Sequence, residues 1–125
     1  MGTSKINAEL LKQITVIEPS DDGKFRGVVL FNHDFCGFDG HFENNPIVPG
    51  VCLIQLVEIF TRKALKKEIL IKNISRMKFK TVLKPGDTAE FLLSFLINDS
   101  SCITSCTVRV EGSTAAQIKI IFETK

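Results

Sequence analysis

GHFENNPIVPGVCLIQLVEIF, residues 40–60, holds one histidine, two prolines and a Pro-Gly step that runs directly into an apolar segment. Pro49 fixes its own φ and pushes the residue before it out of the helical region, so regular structure begins at or after Pro49. From Gly50 onward the pattern predicts a helix. Val51, Cys52, Leu53, Ile54, Leu56, Val57, Ile59 and Phe60 are apolar, and only Gln55 and Glu58 interrupt them. A helix with so little polar face is buried on most sides, and the remaining chain must supply the cover.

Working outward, residues 32–45 are rich in Gly, Asn and Asp interleaved with Phe35, Phe38 and Phe42. This reads as a long ordered loop pinned by its aromatics, and loops of that length usually serve a site. Upstream, NAELLK at 7–12 predicts a short helix with Leu10 and Leu11 turned inward. Residues 14–18 predict a strand stopped by Pro19. The turn PSDDG at 19–23 then leads to a second strand at 25–31, giving a hairpin. Downstream, 72–81 reads as a strand and LKPGD at 83–87 as a turn. Strands at 88–97, 102–110 and 115–122 follow, separated by Asn98-Asp99-Ser100 and Glu111-Gly112-Ser113. Consecutive strands at such spacing predict an antiparallel meander. Adjacent apolar residues at 91–93 and 119–122 predict that some strands are covered on both faces. One long apolar helix beside about six antiparallel strands gives an α+β class, with a single sheet curled round the helix.

The 125 residues suit one domain spanning 1–125 with one core, and 44% hydrophobic content can fill it. Sixteen basic against fourteen acidic residues leave a formal charge of +2, which gives no case for nucleic-acid binding. Arg62, Lys63, Lys66, Lys67, Lys72, Arg76, Lys78 and Lys80 nevertheless fall within nineteen positions. A solvated helix end accounts for most of that cluster; docking of an acidic carrier protein is the functional alternative. No run approaches the ~20 apolar residues of a membrane span or the pattern of a signal peptide, so a soluble, cytoplasmic protein without membrane contact is expected. Cys36, Cys52, Cys102 and Cys106 lack metal-ligand spacing, and neither metal nor cofactor is expected. On one strand Cys102 and Cys106 stand roughly 13 Å apart, too far to bond, so buried reduced thiols are the default.

The order GHF, three residues, Pro, two residues, Pro-Gly and then an apolar helix resembles the β-hydroxyacyl-ACP dehydratases of the FabZ and FabA type, whose motif runs GHFPGxPxxPG. Gly40, His41, Phe42, Pro46, Pro49 and Gly50 stand in register, while Glu43-Asn44 replaces the first Pro-Gly. Asn44 suits that place because Asn tolerates the left-handed conformation better than most non-glycine residues. LKPGD also matches the family's LxPGD. The resemblance covers roughly residues 37–97 and implies the hotdog fold, with the sheet wrapped around the central helix. It further implies a homodimer, with three dimers as a possible higher assembly, and an acyl thioester on acyl carrier protein or coenzyme A as substrate. A cis peptide between His41 and Phe42 belongs to the same pattern.

Dehydrating a 3-hydroxyacyl thioester needs a base for the C2 proton, donors for the enolate-like oxygen and an acid for the departing hydroxyl. By resemblance His41 is the base, and imidazole ionises near working pH. The amide of Gly50 opens the helix, where unpaired N–H groups favour developing negative charge; Val51, Phe42 and Pro49 complete the substrate-binding set. The acid position is occupied by Gln55 where family members carry Glu or Asp. A carboxamide orients a hydroxyl but has no acidic proton to give. Glu58 lies three residues on, close enough to replace the missing carboxyl, yet Glu58 and Arg62 also form an i,i+4 pair in the favoured orientation. His33 lies outside the match and reads as a loop residue. A dehydratase, a non-catalytic acyl-thioester-binding subunit and a hotdog thioesterase remain as readings.

Overall fold

The computed structural model describes residues 10–19, 24–31, 48, 50–84 and 86–124. Among these, six strands form one antiparallel sheet along a single long helix: β1 (Ile14–Pro19), β2 (Phe25–Leu30), α1 (Gly50–Leu65), β3 (Ile69–Phe79), β4 (Thr88–Ile97), β5 (Ser101–Val110) and β6 (Ser113–Thr124). The strand order is β1-β2-β4-β5-β6-β3. This is the hotdog arrangement expected from residues 37–97.

Side-chain alternation decides which face of the sheet meets the helix. Ala89, Phe91 and Leu93 of β4, Cys102, Thr104, Cys106 and Val108 of β5, and Ala116, Ile118, Ile120 and Phe122 of β6 are all buried. Against them α1 sets Cys52, Leu53, Leu56, Val57, Ile59, Phe60 and Thr61. Phe60 is the keystone. Its ring lies 5.4 Å from Phe91 and 6.5 Å from Phe25, and a Cβ built at Gly27 would overlap it. Gly27 is therefore the place where β2 lets the helix come close. We expect Gly27→Ala to lower stability by about 1–3 kcal/mol, the usual cost of overpacking a filled core, as read from chemical denaturation. An unchanged denaturation midpoint would contradict this seating of Phe60.

The helix stops where Lys66 turns left-handed, with φ 55°, and its amide donates to Arg62 O at 2.9 Å. The β5–β6 hairpin turns through Glu111 and Gly112, both at positive φ, the conformation two-residue hairpins favour.

Several expectations need correction. Leu10 is buried, but Leu11 of the helical turn at 10–13 is exposed. β3 starts three residues earlier than read, at Ile69, and crosses to the far edge beside β6 rather than lying next to β4. The meander read for 88–97, 102–110 and 115–122 is present as β4, β5 and β6, and β2 takes the other side of β4. Hydrophobic alternation specifies the inner face of each strand but not its neighbour. Nor is β6 covered on both faces: Lys119 is exposed and Ile121 only half-buried between buried Ile118, Ile120 and Phe122. The expected turn after Pro19 and loop 32–45 fall largely outside the described residues.

Candidate active site

Phe31 and Val48, which flank the segment that carries the motif histidine, are both tied to one turn. Phe31 N donates to Asp87 O at 3.0 Å and Gly86 N to Phe31 O at 2.6 Å, while Val48 N donates to Leu83 O at 2.7 Å. That turn is closed from within, because Lys84 N donates to Asp87 Oδ2 at 2.8 Å and Asp87 N to Lys84 O at 3.1 Å. Gly86 adopts φ 91°, which L-residues rarely tolerate, and this explains the glycine of LKPGD. Sequence reading found the turn but not its task of anchoring both ends of the segment. His41, Phe42 and Pro49 lie outside the described residues, as does the expected cis bond between His41 and Phe42.

Gly50 begins α1, and no acidic residue stands in its first turn, where the leading amides lack partners within the helix. A Cβ at Gly50 would come within 3.2 Å of Phe79 Cζ and 3.3 Å of Met77 Cε, so the absent side chain lets the helix start sit against the end of β3. Both neighbours are ends of flexible side chains.

One face of α1 is left uncovered by the sheet. Val51 is 55% exposed, and Gln55, Glu58 and Arg62 follow it at four-, three- and four-residue steps, each half-buried. The polar stripe of Gln55, Glu58 and Arg62 is where the sequence places it, whereas Val51 departs from the apolar, buried reading; three of the anticipated site residues lie on this face. Among the described residues Gln55 Oε1 is buried with no hydrogen-bond partner, which is unusual for a buried carboxamide oxygen.

Glu58 is already engaged. Its Oε2 lies 3.6 Å from Arg62 Nη2, which also donates to Ile69 O at 3.1 Å. Arg62 Nε lies 3.7 Å from Glu68 Oε1, too long for a hydrogen bond, so that nitrogen has no bonded acceptor. The guanidinium ties the helix stripe to the start of β3.

Beneath the stripe, the hydroxyls of Thr61 and Thr104 share a hydrogen bond of 3.1 Å, both fully buried, and Cys102 Sγ lies 3.7 Å from Thr104 Oγ1. Only the buried face of α1 at one position and of β5 at the other hinted at this pairing. Desolvation raises the pKa of Cys102, opposed by its bond to Thr104, and burial pushes the Cys106 thiol far up. These are packing groups, not nucleophiles. Among the described residues the face therefore offers a helix N-terminus, an exposed apolar Val51 and an unpaired acceptor at Gln55, with no free carboxylate on the stripe.

Residues 15–118 match the family of ApeI-like dehydratases. The chain is 29% identical over 122 residues to the 3-hydroxyacyl-[acyl-carrier-protein] dehydratase FabZ of Ehrlichia chaffeensis, covering 93% of this chain and 84% of that one. With the FabZ of Caldicellulosiruptor saccharolyticus it shares 30% identity over 121 residues, covering 88% and 84% of the two chains. Among solved structures, the dehydratase heterocomplex ApeI:P of Xenorhabdus doucetiae superposes with a TM-score of 0.79 at 22% identity, over 88% of this chain and 96% of that one. A hypothetical thioesterase with coenzyme A from Streptococcus pneumoniae reaches 0.72 at 11% identity, over 99% and 97%. At those identities the superpositions speak for the hotdog fold alone. On its sequence match and its helix-wrapping sheet together, the chain belongs to the ApeI-like, FabZ-type family of hotdog dehydratases.

Proposed function

We propose that the protein removes water from a 3-hydroxyacyl thioester, carried on acyl carrier protein or coenzyme A, to give the 2-enoyl thioester during acyl-chain synthesis, and that it does so slowly. The observation that carries this reading is the buried Oε1 of Gln55, unpartnered among the described residues, on the face of α1 that the sheet leaves open, one turn beyond the helix start at Gly50. In this reading His41 takes the C2 proton, and the helix start steadies the charge that develops on the thioester oxygen. Gln55 accepts a hydrogen bond from the C3 hydroxyl and holds it in line. The C3–O bond then breaks as the double bond forms, and the departing hydroxide is protonated by solvent, to which the His41 imidazolium returns the C2 proton, so that one water is released and the base restored. Without a positioned acid that last step is slow. Among the described residues Cys52, Cys102 and Cys106 are buried and form no disulfide, which suits the reducing cytoplasm.

Water addition to crotonyl- and longer 2-enoyl thioesters, followed by loss of enoyl absorbance, tests the reaction in reverse. The expected result is a slow wild-type rate that falls to the uncatalysed background in His41→Ala. If His41→Ala matches wild type, the assigned base is wrong.

The uncovered stripe also bears on assembly. β3 is an edge strand whose Leu70, Ile71, Ile74 and Phe79 are exposed, and an unprotected apolar edge is a site for pairing with another chain. We propose that two copies join through this edge, so that each partner covers the Val51–Gln55–Glu58 face and completes the acyl site; three such dimers can associate further. Light scattering at micromolar concentration should give twice the chain mass or a multiple of it, and Ile71→Lys with Ile74→Lys should give monomers. A wild-type monomer would count against the shared site.

The second reading is a non-catalytic acyl-binding subunit of a mixed complex. Its support is the same carboxamide at position 55, which leaves the scaffold without an acid of its own.

A further inference from the structure

The sheet's outer face, opposite α1, contains a feature that the acyl site does not use. Register places Ser94 of β4 opposite Ser105 of β5, Ser105 opposite Lys119 of β6, and Lys119 opposite Arg76 of β3. The two short side chains leave a depression in the middle of the sheet, and the cations rise beside it. The result is an open cavity of about 700 Å³ whose lining includes Lys24, Arg76, Arg109 and Lys119 and, among the described residues, no carboxylate.

Neighbouring acids do not neutralise it. Glu90 stands opposite Arg109 in register, but its Oε2 accepts from Arg26 Nε at 2.6 Å, and Arg26 also holds Glu18 at 3.1 Å. None of the four lining cations forms an ion pair among the described residues. Arg109 is oriented instead by a backbone acceptor, Gly112 O, at 2.8 Å from its Nη2.

From this arrangement we propose that the outer face carries a second ligand site, for a small molecule bearing two or more phosphate groups. Guanidinium groups and lysine ammoniums are the side chains best suited to phosphoryl oxygens, and serine hydroxyls donate to the same atoms. Cations contributed by three strands and by the residue preceding β2 match separated charges better than one carboxylate. The volume lies within the ~300–1,000 Å³ usual for small-molecule sites. A second copy of this chain is a poor occupant, because it would set like charges against one another across the contact.

The test is calorimetric titration of the full chain with inorganic pyrophosphate and with tripolyphosphate, at low and at high salt. Arg76→Gln with Lys119→Gln removes two lining charges; Lys63→Gln with Lys66→Gln removes two exposed charges at the helix end. Both pairs are surface changes, and unchanged melting temperatures confirm folding. The expected result is saturable wild-type binding that weakens at high salt, since exposed charges are screened over ~10 Å at 0.1 M. Affinity should fall on the order of tenfold in the outer-face pair, equivalent to about 1.4 kcal/mol, and less than about twofold in the control pair. The amide resonances of Ser94 and Ser105 should shift on titration. Absence of binding in wild type, or equal losses in both pairs, would overturn the proposal. So would binding of an acidic carrier protein through these cations without any binding of pyrophosphate, which would assign the face to a protein.

Discussion

Gln55→Glu should raise the rate of water addition to 2-enoyl thioesters by about 100-fold to 10,000-fold, the usual contribution of a positioned general acid. That range corresponds to about 3–5 kcal/mol of barrier. The gain needs no repacking, because carboxamide and carboxyl have nearly the same shape. The oxygen position is already buried and vacant of partners at Oε1, and the side chain lies on the open face of α1 downstream of Gly50. In dehydration the neutral carboxyl, favoured by partial burial, donates the proton to the leaving hydroxyl; in water addition the same group, as carboxylate, accepts it from the attacking water. Gln55→Leu supplies the contrast, since it keeps the bulk and removes the polar group; it should not gain. If Gln55→Glu is no faster than wild type, position 55 is not where the hydroxyl leaves and the proposed geometry fails. An inert wild type together with an active Gln55→Glu would establish the binding-subunit reading, with a scaffold lacking only its acid. Should wild type run at ordinary rates and collapse in Glu58→Gln, the acid would be Glu58, released from Arg62 during turnover.

The largest expected effect on stability comes from Phe60→Ala, at about 3–5 kcal/mol, or a drop of roughly 10–20 °C in Tm. Phe60 is fully buried between Phe25, Phe91 and the bare backbone of Gly27, so truncation leaves a cavity that rigid strands on the far side cannot fill. The same geometry predicts coupling. Gly27→Ala should cost less in the Phe60→Ala background than in wild type, because its methyl group would then occupy part of the empty ring space. Chemical denaturation of the four proteins in that cycle measures the coupling. Strict additivity, or a Phe60→Ala loss below about 1 kcal/mol, would show that the helix does not rest on β2 as described.

Much of the fold was legible in local pattern. The apolar run after Pro49 marked α1, and its observed start is Gly50. β4 was read at its observed limits, Thr88–Ile97, because a stretch rich in Phe, Leu and Ile lies between two turn-forming stretches. The GHF-to-PG motif pointed to the family that the sequence match over residues 15–118 shows. Such features depend on residues close in the chain, where propensity, proline geometry and alternation act directly.

What only the tertiary structure decided depends on partners far apart in sequence. Alternation cannot say that β3 crosses to β6, since either edge satisfies the same inner-facing residues. Gly27 looked like any strand glycine until Phe60, from the helix, was found against it. Val51 read as core from hydrophobicity, yet the sheet stops short of it and leaves it on an open face with Gln55 and Glu58. The alternatives open to Glu58 came down to where Arg62 and Ile69 lie in space. The sequence by itself determined the helix, the strands and the family, because short-range sterics and hydrophobic period are written locally. Strand order, the uncovered stripe of α1 and the cation-lined outer face required the folded chain, because each arises only when distant segments are packed side by side.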